Sequence, residues 1–451
     1  MKILFTLLLY VFGLNGYLLV QKFSPFWLNR STEIPVQEVC VNQNHKTYTW
    51  FCNNSQANLS QLTLQQTISA SRTQITQTPK FSDTNLNKVI NNHIQKTHTP
   101  PTVDDQTSYQ QFTAIPFQSS SFHNLLFFSQ TQNKKKLSSL FLDTIQKKSL
   151  RPLSLFAEPE LFIRQISSIC SSYLQTKFPQ KFKTESAKLW LETTTAPEEK
   201  NFQTLSFASN GDLLVWIKPE LKAFPDWINI RIPYRKIKPH ILPRYQSYFP
   251  PITTNTAPTV DCTKQKCISI TFDDGPRRRF SNQLLRILQK HQIPATFFML
   301  GHLVQDDPEI TKKIHDLGYE IANHSWNHKN FAQLSRYKML KQINRTDGAI
   351  LAATGTIPQF YRPPYGAFKS RIFKLIPDKK MILWHVDPLD WKKGQTSKKI
   401  AESVVAQTKQ NRIILLHDIY QRTIDAVPII INTLKKQGYT FVSLSDLLSD
   451  K

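Results

Sequence analysis

Acidic side chains are scarce in this chain. Its 451 residues hold 32 Asp and Glu against 57 Lys and Arg, a formal net charge of +25. So basic a chain invites a nucleic-acid partner, but no nucleic-acid-binding motif is present. For an exported protein, anionic lipid headgroups and anionic wall polymers remain as partners for the charge, beside its effect on solubility. Cysteine is also scarce, with five residues. Cys262 and Cys267 form one close pair and Cys40 and Cys52 another. The compact Cys/His set that a structural zinc site needs is missing around them. Each pair is therefore expected as a disulfide of an oxidising compartment, with Cys170 a buried free thiol in an apolar helical pattern.

An apolar run over 3–21 is long enough to cross a membrane as a helix. No Ala-x-Ala-type site follows it directly, so 1–22 is read as a retained single-pass anchor, with a cleaved signal and a secreted protein as the rival. Segment 23–104 reads as a partly disordered stalk or linker, since 53–104 is rich in Gln, Asn, Ser and Thr with few large apolar residues. A small α+β region follows over 105–248. Phe162, Ile166, Ile169 and Tyr173 make a helical stripe, Asn210-Gly211 signals a hairpin between 204–208 and 213–217, and 227–233 makes a third strand. This region contains no catalytic constellation and reads as a binding or spacer module. A Pro/Thr-rich linker, 249–261, leads to the last unit, 262–451.

That last unit carries the chemistry. Its apolar runs predict seven strands, at 267–273, 294–300, 319–323, 359–362, 380–386, 412–417 and 439–443. Amphipathic helices alternate with them at 281–291, 308–317, 335–353, 397–410 and 423–437, with Ser281 and Thr423 as N-caps and Gly355 and Gly438 as C-terminal stops. Repeated strand–helix units predict a parallel sheet, and this many predict a barrel. Five polar clusters then fall at or just past strand C-termini, the face where such barrels carry catalysis. They are Asp273-Asp274-Gly275-Pro276, His324-Ser325-Trp326-Asn327-His328, Arg362-Pro363-Pro364-Tyr365-Gly366, Asp387-Pro388-Leu389-Asp390-Trp391 and Leu415-Leu416-His417-Asp418. A turn after the first strand can rotate both of its carboxylates into one cleft. On a helical turn, His324 and His328 would share a face at i and i+4. Asp274 with the two imidazoles makes three protein ligands, which is a catalytic rather than a structural metal pattern. Arg277-Arg278-Arg279 reads either as a solvated loop, as charge runs usually are, or as a rim of the same cleft that attracts anionic polymer. His291, His302 and His315 are expected to be solvated, and His385, in a strand near the mouth, either to support the site's residues or to be simply packed or hydrogen-bonded.

These five clusters, over the last two fifths of the chain, resemble the motifs of the NodB-type polysaccharide deacetylases, carbohydrate esterase family 4. Pro388 departs mildly, since many relatives have Ser or Thr there. The resemblance implies a distorted (β/α)7 barrel and a metal-dependent hydrolase that removes N-acetyl groups from a cell-surface polysaccharide. The three-part layout is similar to membrane-anchored peptidoglycan N-acetylglucosamine deacetylases. It leaves N-acetylmuramic acid, chitooligosaccharide or xylan as other substrates, and a catalytically retired surface sensor as the reading from another class. Residues 105–248 faintly resemble the extracytoplasmic domain of RsiV-type anti-sigma factors, through Leu140-Phe141 and Ile230-Arg231-Ile232-Pro233-Tyr234.

The family's roles, carried over, make Asp274, His324 and His328 ligands of one divalent metal, commonly Zn2+, with Co2+, Mn2+ or Ni2+ as other occupants. Asp273 becomes the general base, with Arg362 keeping it ionised. The Tyr365 N–H becomes an oxyanion donor, His417 the general acid and Asp390 its orienting carboxylate. Trp391 and Leu415 become walls of the acetyl pocket.

Overall fold

The computed structural model describes residues 83–97, most of 122–218, 227–249 and 260–449, together with the backbone of upstream strands. Almost all of the apolar run 3–21 lies outside the described residues, as do the side chains of Cys40 and Cys52. Among the described residues no helix is long and apolar enough to cross a membrane.

Part of the segment read as stalk is folded. Helix α1 (Thr84–Thr97) buries Leu86 and Ile90 against Leu125, Phe127, Leu140 and Leu142 of strands β1 (Phe122–Gln130) and β2 (Lys135–Asp143). Backbone strands at Leu59–Ser69 and Arg72–Phe81 belong to the same sheet. Low apolar content hid this region, because two buried aliphatic residues per helix face leave a weak signal.

The middle module is built from α2 (Pro159–Lys177), α3 (Glu185–Thr194) and a three-stranded antiparallel sheet. Its strands are β3 (Leu205–Phe207), β4 (Leu213–Ile217) and β5 (Ile228–Ile232). The expected stripe is real: Phe162, Ile166 and Ile169 are buried, and Tyr173 packs against the same cluster. Cys170 is a free, fully buried thiol, and burial pushes it well above the ordinary thiol range.

The barrel follows. Its sheet is wholly parallel: β6 (Lys266–Gly275) is central, followed outward by β7 (Thr296–Met299), β8 (Glu320–Asn323), β9 (Phe360–Tyr361) and β10 (Lys380–Met381). On its other side β6 pairs with β11 (Arg412–His417) and with β12 (Tyr439–Phe441). The fifth predicted strand is only two residues long. Beyond it the circle closes through a single bridge, Val386 to Ile414, and His385 Nδ1 accepts the Ile413 N–H at 3.2 Å. The barrel is therefore distorted, and His385 is a closure residue. Outer helices α4 (Arg278–His291), α5 (Pro308–Asp316), α6 (Arg336–Thr354), α7 (Ser397–Gln407) and α8 (Gln421–Lys436) match the predicted periodicity within a few residues. Cys262 and Cys267 are disulfide-bonded at the entrance to β6.

Two predicted caps are corrected. Helices α4 and α8 start earlier than expected, so Ser281 and Thr423 sit inside their first turns and point inward. Ser281 Oγ donates to Asp418 Oδ2 at 2.8 Å, and Thr423 Oγ1 donates to Asp390 Oδ2 at 2.7 Å. The predicted stops hold, with Gly355 and Gly438 both left-handed.

Helix α2 lies along α6, so the module packs directly on the barrel. Leu351 and Ile357 belong to the module's apolar core, and Leu161 belongs to a barrel cluster with Met339, Leu340 and Ile343. Gly348 permits this approach, because a Cβ there would meet the Ile169 carbonyl oxygen. Gly348→Ala should therefore lower stability, although alanine is the better helix former by about 1 kcal/mol. Overpacking typically costs about 1–3 kcal/mol. A lower urea midpoint at unchanged slope would show it, and a raised midpoint would disprove the contact.

Candidate metal centre and acid–base pair

The first carboxylate pair is presented by a bulge. β6 pairs Asp273 with Phe298 and Gly275 with Met299, so Asp274 is the extra residue, and its φ of 73° is left-handed. An unbroken strand would point the two carboxylates to opposite faces; the bulge brings both to the mouth. Gly275 follows because the Asp418 carboxylate occupies the space a Cβ would need.

The two histidines do not sit on a helical turn, as their spacing suggested. They flank an irregular loop after β8, in which Ser325 (φ 74°) and His328 (φ 59°) are both left-handed. Asn323 Oδ1 accepts the Ser325 N–H at 2.9 Å, and Ser325 Oγ accepts the His328 N–H at 3.0 Å. Left-handed backbone at non-glycine residues is costly and persists where surrounding contacts over-determine it. Tyr365 (φ 61°) adds another such residue and sets its ring edge-on to His328 at 4.5 Å.

Asp274, His324 and His328 form the one group with metal-ligand spacing found among the described residues, their donor atoms within 4.8 Å of one another. His324 Nε2 and His328 Nε2 each lie 3.5 Å from Asp274 Oδ1. The donor set fits a divalent ion on three counts. Asp274 Oδ1 is buried with no hydrogen-bond partner. His324 Nδ1 lies 2.9 Å from the Arg362 carbonyl, a contact that requires an N–H there and leaves Nε2 with its lone pair free to ligate. Burial lowers the His324 pKa to about 3, so the ring is neutral.

Asp273 borders this group, its Oδ2 3.6 Å from His324 Nε2. Arg362 is buried, and its Nη1 donates to Asp273 Oδ1 at 2.6 Å and to Thr271 Oγ1 at 3.0 Å. The same guanidinium donates to the Ile382 and Leu383 carbonyls and stacks on Phe298 at 3.9 Å. Arg362 favours the Asp273 anion, as expected, but does not set its ionisation alone. Burial pushes the carboxyl above the usual carboxylate range, and the guanidinium only partly offsets it.

His417 is the partner of Asp273 in the β6–β11 register. Its Nδ1 contacts Asp390 Oδ1 at 2.7 Å, and its backbone N–H donates to Asp390 Oδ2 at 2.9 Å. Burial disfavours the imidazolium, but the hydrogen bond and charge of Asp390, with Asp273 and Asp274, outweigh it and raise the pKa to about 9. Leu415 is buried two residues before His417 on the same strand face, whereas the Trp391 side chain is 47% exposed at the rim.

Several participants carried no functional reading in the sequence. Asp418 is buried behind the site, where burial raises its carboxyl to about 7 against the Ser281 hydrogen bond. His302, expected to be solvated, places Nδ1 2.7 Å from the Trp326 carbonyl and so braces the histidine loop. Of the three arginines, Arg278 pairs with Asp307 and Glu309, and Arg279 lies over Phe280. Adjacency to His417 could have flagged Asp418; nothing local marks His302.

The polysaccharide deacetylase family model matches residues 260–381. The chain is 42% identical over 189 residues to the peptidoglycan-N-acetylmuramic acid deacetylase PdaC of Bacillus subtilis (strain 168), covering 42% of this chain and 40% of that one. It is 34% identical over 186 residues to the peptidoglycan-N-acetylglucosamine deacetylase PgdA of Listeria monocytogenes (strain 10403S), covering 41% and 40%. The chain thus spans about two fifths of the length of these relatives. It is also 34% identical over 196 residues to the peptidoglycan-N-acetylmuramic acid deacetylase PdaA of Bacillus subtilis (strain 168), and there it covers 74% of the relative. With that coverage, and with a site of the matching donor set on a parallel barrel, the chain belongs to the polysaccharide deacetylase family.

Proposed function

We propose that this protein is an exported, metal-dependent hydrolase that removes N-acetyl groups from peptidoglycan amino sugars, yielding acetate and a free amine. One observation carries the reading: the group Asp274, His324 and His328 lies beside the buried carboxylate of Asp273, and His417, the strand partner of Asp273, is held by Asp390. N-acetylglucosamine is the sugar we favour; relatives named for N-acetylmuramic acid make it the competing sugar of the same polymer. The presence of Asp273, Asp274, His324, His328 and His417 together weighs against the retired-sensor reading. The disulfide at Cys262 and Cys267 supports export. The run 3–21 is proposed as the membrane anchor, and the +25 net charge is proposed to favour anionic wall polymers.

Asp274, His324 and His328 would hold a divalent ion, which we propose to be Zn2+, and it would supply Lewis acidity. Asp273 takes the proton from water as the oxygen adds to the carbonyl carbon. Its raised pKa makes it a better base than an exposed carboxylate, and Arg362 holds it in position. The Tyr365 N–H donates to the developing oxyanion. His417 keeps its Nδ1 proton toward Asp390 and passes its Nε2 proton to the departing nitrogen, which leaves as the amine. Leu415 and Trp391 flank the acetyl methyl.

Purified protein should release acetate from wall fragments, with mass spectrometry showing the loss of one acetyl group from a sugar. Chelation should abolish this, and a divalent ion should restore it. Full activity in metal-free protein would refute the mechanism.

Asp273→Asn and His417→Ala should each lower kcat by about 10²–10⁴-fold, the usual contribution of acid–base groups, without loss of bound metal. A near-native rate in either variant would move the role to another residue.

The acid must be protonated, so activity should fall as pH rises through the His417 pKa. Asp390→Asn removes the carboxylate that raises that pKa, so the basic limb of the kcat profile should move down by roughly 1–3 pH units. An unmoved limb would show that His417 is not the group titrating there.

A further inference from the structure

Four buried charges lie where the middle module meets the barrel. Lys236 belongs to the short turn after β5; Asp347 lies on α6; Asp378 and Lys379 precede β10. Their side chains are at most 3% exposed. Lys236 Nζ lies 3.4 Å from Asp347 Oδ2 and 3.1 Å from Asp378 Oδ2, while Lys379 Nζ lies 3.0 Å from Asp347 Oδ1. Two cations and two anions cancel, and removal of one would leave an uncompensated buried charge.

Asp347 has a second partner. Its Oδ1 accepts Asn323 Nδ2 at 2.8 Å, and the other Nδ2 proton goes to the Ile343 carbonyl at 2.9 Å. A carboxylate and a carbonyl only accept, so the orientation of the Asn323 amide is settled, with Oδ1 turned to the Ser325 N–H. Asn323 is the last residue of β8, next to His324, and its carbonyl accepts the Arg362 N–H at 2.9 Å. A continuous path therefore runs from the module through Asp347 and Asn323 to the loop that bears His324 and His328.

We propose that Lys236 is a positioning residue for the metal centre: with Lys379 it holds the Asp347 carboxylate, which fixes Asn323 and through it the histidine loop. The module is then part of the catalytic unit and not a spacer. This rests on Asp274, His324 and His328 being the ligands.

The test uses the full chain. Lys236→Met should weaken zinc binding to the metal-free protein about tenfold or more, the scale of outer-shell losses. In the same ion-free protein, hydrogen exchange of the segment with the Ser325 and His328 amides should accelerate. Ile169→Ala loosens the α2–α6 contact without touching Asp347, and should leave both readings unchanged. The double variant Lys236→Met/Asp347→Asn keeps the cluster neutral, so it carries the test if the single variant fails to fold, with the same losses expected. Unchanged zinc affinity and exchange in the Lys236 variants, or equal changes in Ile169→Ala, would overturn the inference. An unaltered chain that takes up no zinc would instead refute the ligand set, and the metal-free exchange comparison would still decide the coupling.

Discussion

The Arg362 guanidinium, fully enclosed at the barrel mouth, ties the site together. Its side chain donates to Asp273, Thr271 and two carbonyls, its own carbonyl receives His324 Nδ1, and its N–H donates to Asn323. One residue thus holds the Asp273 carboxylate, sets the tautomer of His324 and anchors the strand that precedes the histidine loop. A buried arginine of this kind is tolerable only because its charge is matched and its donors are satisfied. Loss of one partner in such a pair typically costs about 3–5 kcal/mol, since the remaining charge is stranded. The arrangement is stiff, and stiffness suits a reaction that needs its groups placed beforehand.

Strain is concentrated at the same place. Asp274, Ser325, His328, Tyr365 and Leu389 all adopt left-handed backbone without being glycine. Asp274 lies in the bulge at the end of β6 and the others in loops at the C-terminal rim. The bulge at Asp274 and the turns at Ser325 and His328 aim side chains that regular strand or helix geometry would have sent elsewhere. The parallel sheet and the buried network beneath hold these conformations in place.

Much of this was legible in the sequence. Apolar runs and amphipathic periods located the seven strands and five helices, and the polar clusters at strand ends marked the mouth, because both signals are local. The failures have equally physical causes. His324 and His328 were read on a helical turn, since a four-residue spacing says nothing about which residues take positive φ. Ser281 and Thr423 were read as caps, because a hydroxyl near a helix start looks alike whether it faces the backbone or a buried carboxylate. The helix Thr84–Thr97 was lost in a polar segment whose two buried residues have their partners far along the chain. The charge cluster linking Lys236 to Asp347 spans more than a hundred residues and has no periodic signature at all.

The central claim is that the protein itself pre-forms the metal centre. Crystals of the metal-free and zinc-soaked protein, measured at the zinc absorption edge, test it most directly. The account predicts an anomalous peak bounded by an Asp274 carboxylate oxygen and the Nε2 atoms of His324 and His328, with the Asn323–His328 backbone superposing in the two states. A peak elsewhere, or a histidine loop that assembles only when zinc is added, would contradict it.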